Sequence, residues 1–207
     1  MERIKQALEK ARLERQQSGG VSAPPAASAT AGPVSYTHTR TVEVAKSLMQ
    51  EKRIVSGFDQ GAFTDAYKML RTQVLQRLRE KGWNSLAVTS PGINEGKTLT
   101  AINLAISLAM EVNYTVLLVD ADLRHPSVHS YFGIEAEYGL SDYLTTDKSL
   151  SELLVHPEGI PGFVILPGGK PLDNSAEMLS SPKMARLVEE LKSRYPSRII
   201  LFDLPPL

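Results

Sequence analysis

Ser90-Pro91-Gly92-Ile93-Asn94-Glu95-Gly96-Lys97-Thr98 lies between the apolar run Leu86-Ala87-Val88-Thr89 and the helical run Leu99-Thr100-Ala101-Ile102-Asn103-Leu104. Strand, glycine-bearing loop, Gly-Lys-Thr and helix, in that order, describe a phosphate cradle. Backbone N–H groups wrap an anion there, and the helix N-terminus adds its partial positive charge. The expected cofactor-binding set is Asn94, Glu95, Gly96, Lys97, Thr98 and Leu99. Lys97 reaches the β- and γ-phosphates of a nucleotide, and the Thr98 hydroxyl ligates Mg²⁺. The strict pattern G-x-x-x-x-G-K-[ST] is not met, because Pro91 stands where the first glycine belongs.

The rest of the chain sets bounds. Its 207 residues suffice for one α/β domain plus an extension. Hydrophobic residues make up 42% and charged residues 22%, ordinary values for a globular protein. Lys+Arg and Asp+Glu balance at 23 each, so no basic excess argues for nucleic acid as a partner. With no Cys, disulfides and thiolate metal sites are excluded. No apolar run approaches the ~18–20 residues that span a bilayer, and the charged start does not read as a signal peptide. The expectation is a chain kept on the cytoplasmic side.

Residues 1–17 read as a short charged helix with Ile4, Leu8 and Ala11 on one face. Residues 18–41 read as a flexible linker, Gly-, Ala-, Pro- and Ser-rich over most of their length, and the folded domain is expected over 42–207. Within it, Val42–Val55 reads as a helix, or a helix running into an extended segment. Thr64–Lys81 reads as an amphipathic helix with Ala66, Met69, Leu70, Val74, Leu75 and Leu78 at core spacing, ended by Gly82. Strands are expected at Ser85–Thr89, Tyr114–Val119, Phe163–Leu166 and Arg198–Phe202. Helices are expected at Lys97–Glu111, Leu140–Thr145, Ser149–Leu154 and Pro182–Arg194. This alternation implies a doubly wound, mostly parallel sheet.

Two strand ends carry acids. Thr115–Val119 feeds Asp120-Ala121-Asp122-Leu123-Arg124, and Ile199–Phe202 feeds Asp203-Leu204-Pro205-Pro206. Open α/β sheets place ligands at the carboxyl ends of their strands. Singly, each acid could be a turn cap. Behind a Gly-Lys-Thr loop, their joint reading is a nucleotide site with Thr98, Asp122 and Asp203 around Mg²⁺.

These motifs resemble the bacterial tyrosine autokinases of exopolysaccharide synthesis and export, whose fold is the P-loop NTPase fold of the Min/Par partition ATPases. The family loop reads Ser-Pro-x-Pro-Gly-Glu-Gly-Lys-[Ser/Thr], matched at Ser90, Pro91, Glu95, Gly96, Lys97 and Thr98, with Asn103-Leu104-Ala105 following. The family's Asp-x-Asp-x-Arg-x-Pro matches at Asp120, Asp122, Arg124 and Pro126, and its Asp-x-Pro-Pro matches at Asp203, Pro205 and Pro206. Asp65-Ala66-Tyr67-Lys68-Met69-Leu70-Arg71-Thr72 resembles the family helix associated with ring assembly, and Met1–Ala11 resembles the start of kinases in exosortase-linked loci.

The resemblance implies phosphoryl transfer from ATP to tyrosine on a neighbouring copy. Lys97, Asp120, Asp122 and Arg124 are then the catalytic residues, with Asp120 accepting or orienting the phenol proton. It implies a homo-oligomeric ring through Asp65, Lys68 and Arg71. It also implies activation by a separate membrane-embedded regulator of polysaccharide chain length, which would hold the chain at the inner face of the plasma membrane. Residues 1–17 are candidates for the tether. Family members continue past the third motif into further strands and a tyrosine-rich tail, so a C-terminally truncated sequence is expected.

The departures are informative. Asn94 replaces a glycine, and Asn is the least costly replacement if its φ is positive. Gly92 stands at the slot of the partition ATPases' signature lysine, against the alternative of a partition-type ATPase. Asp65 and Lys68 replace Glu and Arg, and lysine lacks the two-pronged guanidinium contact. A non-catalytic regulatory member of the same fold is the other alternative.

Overall fold

The computed structural model describes residues 39–55, 61–194 and 197–207. All of them belong to the unit Ala31–Leu207. The helix expected over 1–17 and nearly all of the expected linker lie outside the described residues.

Four strands form the parallel heart of a six-stranded sheet: β2 (Ser85–Val88), β3 (Thr115–Asp120), β5 (Phe163–Leu166) and β6 (Arg198–Asp203). With β1 (Arg40–Val42) and β4 (Val155–Pro157), the order is β1-β4-β5-β3-β6-β2. β4 runs antiparallel to β5 and β1 runs parallel to β4, so these two reverse the direction at one side of the sheet. Both have only three residues, too few for a periodic signal, and neither was expected from sequence. Arg40 and Thr41 of β1 fall within the segment read as linker.

Alternation along the buried strands separates two cores. Val116 and Leu118, Phe163 and Ile165, and Ile199 and Leu201 face one layer. That layer holds α2 (Ala62–Lys81) and α3 (Lys97–Ala109). Leu117 and Val119, Val164 and Leu166, and Ile200 and Phe202 face the other layer. There lie α5 (Leu140–Thr145), α6 (Leu150–Leu153) and α8 (Pro182–Arg194). Helices on both faces of a largely parallel sheet bury its central strands completely, which is why β3 and β6 read as unbroken apolar runs.

The remaining helices are short: α1 (Lys46–Glu51), α4 (Val128–Tyr131) and α7 (Ser175–Leu179). Val42 closes β1 and only Lys46–Glu51 of the expected Val42–Val55 helix is helical. α2 spans the expected Thr64–Lys81 and begins two residues earlier, with Gly82 ending it in the left-handed region at φ 65°. Its predicted core face needs correction: Leu75 and Leu78 are buried, but Ala66 and Met69 are exposed, Met69 at 64%. Leu70 and Val74 pack against the core as expected, and Thr64 and Tyr67 continue the stripe where Ala66 and Met69 do not.

α3 lies between the sheet and α2, and every residue from Ala101 to Ala109 is buried. Its polar residues lock it to the preceding segments. Asn103 accepts the Val55 N–H at 2.9 Å and donates to the Arg53 and Leu99 carbonyls at 3.1 Å each. Four residues on, the Ser107 carbonyl accepts from Arg71 at 3.1 Å, and another turn on, Glu111 pairs with the same guanidinium at 3.0 Å. A spacing of four puts these contacts on one helical face.

Candidate functional site

Strand register brings the acids together. In the β3–β6 pairing Asp120 stands opposite Asp203, and in the β2–β6 pairing Val88 stands opposite Asp203. Adjacent strands lie about 4.8 Å apart, so the two carboxylates and the start of the Ser90–Thr98 loop share one edge of the sheet. The segment after β6 continues along the loop's base: Leu204 N–H donates to the Val88 carbonyl at 2.9 Å and Leu207 N–H to the Ser90 carbonyl at 3.0 Å.

The loop adopts the backbone that the motif requires. Gly96 is left-handed at φ 83°, and Asn94, in place of a family glycine, is left-handed at φ 60°. The Glu95 carboxylate accepts the Gly92 N–H at 3.2 Å, and the Ser90 hydroxyl donates to the Gly92 carbonyl at 2.7 Å. Gly96 then hands the chain to α3, whose first residues are Lys97 and Thr98.

Lys97, Thr98, Asp122 and Asp203 converge. Thr98 Oγ1 donates to Asp203 Oδ2 at 2.6 Å. Lys97 Nζ lies 2.8 Å from Asp122 Oδ2 and 3.7 Å from Asp203 Oδ1. The second contact is an ion pair without a hydrogen bond, and Asp203 Oδ1 has no hydrogen-bond partner among the described residues. Burial pushes the Asp203 carboxyl above the usual carboxylate range, opposed by the Thr98 hydrogen bond and the Lys97 charge. A cavity of about 400 Å³ opens over this cluster. One wall is the loop from Ile93 to Thr98, and the facing wall is Asp122, His125, Ser127 and Tyr131, with Pro206 at the margin.

Asp120 is placed differently from the sequence expectation. It is fully buried and does not line the cavity. Its Oδ2 accepts the Ser127 and Val128 N–H groups at 2.9 and 3.0 Å, and its Oδ1 has no hydrogen-bond partner among the described residues. Burial raises its pKa to about 7; the two N–H donors act against this, and the Asp203 and Asp122 charges add to it. Arg124 is exposed and lies off the cavity wall. Leu99 is also off the wall, and its carbonyl accepts from Asn103.

Sequence reasoning did not single out His125, Ser127 and Tyr131 on the far wall. Their place follows from the turn after Asp122, which no local signal encodes. Gly168, in the loop after β5, packs on Pro126 and Asp120 behind this wall.

With this geometry in view, the similarities to known proteins are specific. The AAA domain family matches residues 92–207. Tyrosine-protein kinase YwqD of Bacillus subtilis is 34% identical over 161 residues, which cover 78% of this chain and 66% of that one. The kinase domain of Escherichia coli tyrosine kinase ETK superposes with a TM-score of 0.63 at 27% identity, covering 84% of this chain and 69% of that structure. Septum site-determining protein MinD of Pyrococcus horikoshii, solved with Mg-ADP, gives 0.50 at 26% identity, covering 60% of this chain and 49% of that one. The chain belongs to the AAA domain family, among its bacterial tyrosine-kinase domains. It spans about a fifth of the length of several curated relatives, 19% in the case of the Escherichia coli K12 kinase.

Proposed function

We propose that the chain is the catalytic domain of an ATP-dependent protein-tyrosine kinase that phosphorylates tyrosine on a neighbouring copy and regulates exopolysaccharide polymerisation or export. One observation carries the reading: Lys97, Thr98 and Asp122 line one cavity, and Asp203, buried beneath them at a further strand end, bonds to Thr98 and pairs with Lys97. The likeness to the ETK kinase domain, broader than that to MinD, favours a kinase over a partition-type ATPase.

The reaction breaks the bond from the γ-phosphorus to the bridging oxygen of ATP and forms one to the phenolic oxygen. It yields ADP, phosphotyrosine and a proton. Such transfer depends on positioning and charge neutralisation more than on covalent help. Backbone groups of Asn94, Glu95, Gly96 and Lys97 hold the phosphates at the start of α3. The Lys97 ammonium, held between the acids and the loop, neutralises β/γ charge. Mg²⁺ would neutralise the remaining phosphate charge, and Thr98 Oγ1 and Asp203, whose buried Oδ1 lacks a hydrogen bond, fit a hard cation that also takes substrate phosphates. Asp122, on the wall and beside Lys97, accepts the phenol proton. That role moves from Asp120, which is buried behind the wall and positions the turn carrying Ser127. Arg124, exposed, is given no role in the transfer.

The neighbouring copy would be held by α2. Phe63 is 78% exposed and Met69 64%, beside a Lys68–Asp65 ion pair at 2.9 Å. Arg71 is tied to Ser107 and Glu111 and supports this surface from behind. No helix among the described residues is long and apolar enough to cross a membrane. Attachment through a separate membrane-embedded chain-length regulator, with residues 1–17 as tether, completes the proposal.

The test is phosphotyrosine formation with Mg²⁺ and ATP, with the membrane partner present and absent. A tagged Lys97→Met chain should be inactive alone and phosphorylated when mixed with the unaltered chain. ATP hydrolysis without phosphotyrosine in any mixture would refute the kinase reading.

A further inference from the structure

Gly168 sits in the loop after β5, outside the cavity, in contact with residues that build its far wall. A Cβ at this position would lie 2.6 Å from Pro126 Cβ, 3.1 Å from Pro126 Cγ and 3.3 Å from Asp120 Cγ. Gly168 is not among the residues with positive φ. The requirement for glycine is therefore one of space alone.

The loop cannot retreat from this contact, because α5 holds it from the other side. Leu140 N–H donates to the Pro167 carbonyl at 2.7 Å and Ser141 N–H to the Gly168 carbonyl at 2.9 Å. A Cβ on Gly139 would lie 2.2 Å from that same Pro167 oxygen, so the seam is closed at backbone distance. On the other side, the Asp120 carboxylate binds the Ser127 and Val128 N–H groups. Torsion about the Cβ–Cγ bond of an aspartate is soft, and packing is what fixes it. Gly168, Pro126 and Asp120 thus make one block, and the chain leaving it carries Ser127 and Tyr131 to the wall facing the phosphate loop.

We infer that Gly168 is a positioning residue: by lacking a side chain it lets the loop after β5 close on Pro126 and Asp120, and so sets the acceptor-side wall of the cavity. Its catalytic consequence rests on the kinase reading; its structural consequence does not. Bringing the 2.6 Å approach to ordinary contact at 3.4–4 Å requires the turn to move by about 1 Å. A misplacement of that size costs on the order of 100-fold in rate. Gly168 does not line the cavity, and the three atoms nearest an added Cβ belong to Pro126 and Asp120 rather than the phosphate loop, so the KM for ATP should stay within about twofold.

The experiment is a double-mutant cycle of Gly168→Ala and Pro126→Gly in the intact chain. Two signals are read by NMR, the Val128 amide and the Asp120 carboxyl carbon, and kcat and the KM for ATP are measured beside them. Gly168→Ala should shift both signals and lower kcat about 100-fold in the parent. In the Pro126→Gly background, where the closest clash is gone, it should shift them little and lower kcat less than about threefold. Additive effects, or unmoved Val128 and Asp120 signals, would overturn the inference. If Gly168→Ala alone does not fold, recovery of a folded spectrum in the double variant supports the inference, and failure of the double variant overturns it. Coupled NMR shifts in a chain without phosphotyrosine would leave the positioning intact and remove the kinase reading.

Discussion

Asp120→Asn tests the buried acid pair through the pH dependence of folding. In the folded chain the Asp120 carboxyl has a pKa of about 7 against an ordinary 3.8, chiefly because it is buried. Between these values the unfolded chain has released the proton and the folded chain retains it. The folded state therefore binds more protons, and stability falls as pH rises from about 4 to about 7, then levels off. A difference of about three units at 1.36 kcal/mol each amounts to about 4 kcal/mol. Asparagine does not titrate. Its oxygen can still accept the Ser127 and Val128 N–H groups, but its amide nitrogen replaces an oxygen without a partner, a burial cost of about 1–3 kcal/mol. The variant should thus be the less stable protein at pH 4.5. By pH 7.5 it should have gained about 3 kcal/mol on the parent, since about 1 kcal/mol of the full difference is already lost below pH 4.5, and this is enough to equal or exceed it. Urea denaturation in EDTA at four pH values between 4.5 and 7.5 measures the difference directly. A parent-to-variant gap constant within about 1 kcal/mol across that range would refute the account of Asp120 as a buried, proton-retaining carboxyl.

Two further outcomes follow from particular residues. Asn94 is left-handed at φ 60°, so Asn94→Gly should keep ATP affinity and change stability by less than about 1 kcal/mol. Asn94→Val should cost about 1–2 kcal/mol and weaken ATP binding, read by calorimetry and nucleotide titration. Asn103→Leu removes the partners of the Val55 N–H and the Arg53 carbonyl. It should cost about 2–4 kcal/mol and lower Tm by roughly 6–12 °C in a thermal scan; an unchanged Tm would mean that the clamp contributes nothing.

How much of the protein was legible depends on the range of the signal. The four parallel strands carry short apolar runs and the long helices carry local periodicity, and they lie where the sequence put them within a few residues. β1 and β4 have three residues each and exist because neighbouring strands supply their partners. Ala66 and Met69 match the helical period of the core but fall just beyond the strip of α2 that α3 covers. Period alone fixes a stripe's direction and not its width.

The sequence by itself determined the phosphate loop, the helix it opens and the three strand-end acids. Each is written in contiguous residues whose conformation is set by glycine, by asparagine's tolerance of positive φ and by apolar runs that must be buried. Only the tertiary structure decided which acids meet the lysine. Register sets Asp120 opposite Asp203, yet Asp122, two residues further, reaches Lys97 while Asp120 is held behind the wall by two N–H groups and the bare backbone of Gly168. That choice depends on close packing between segments some 40 residues apart, and no local pattern encodes it.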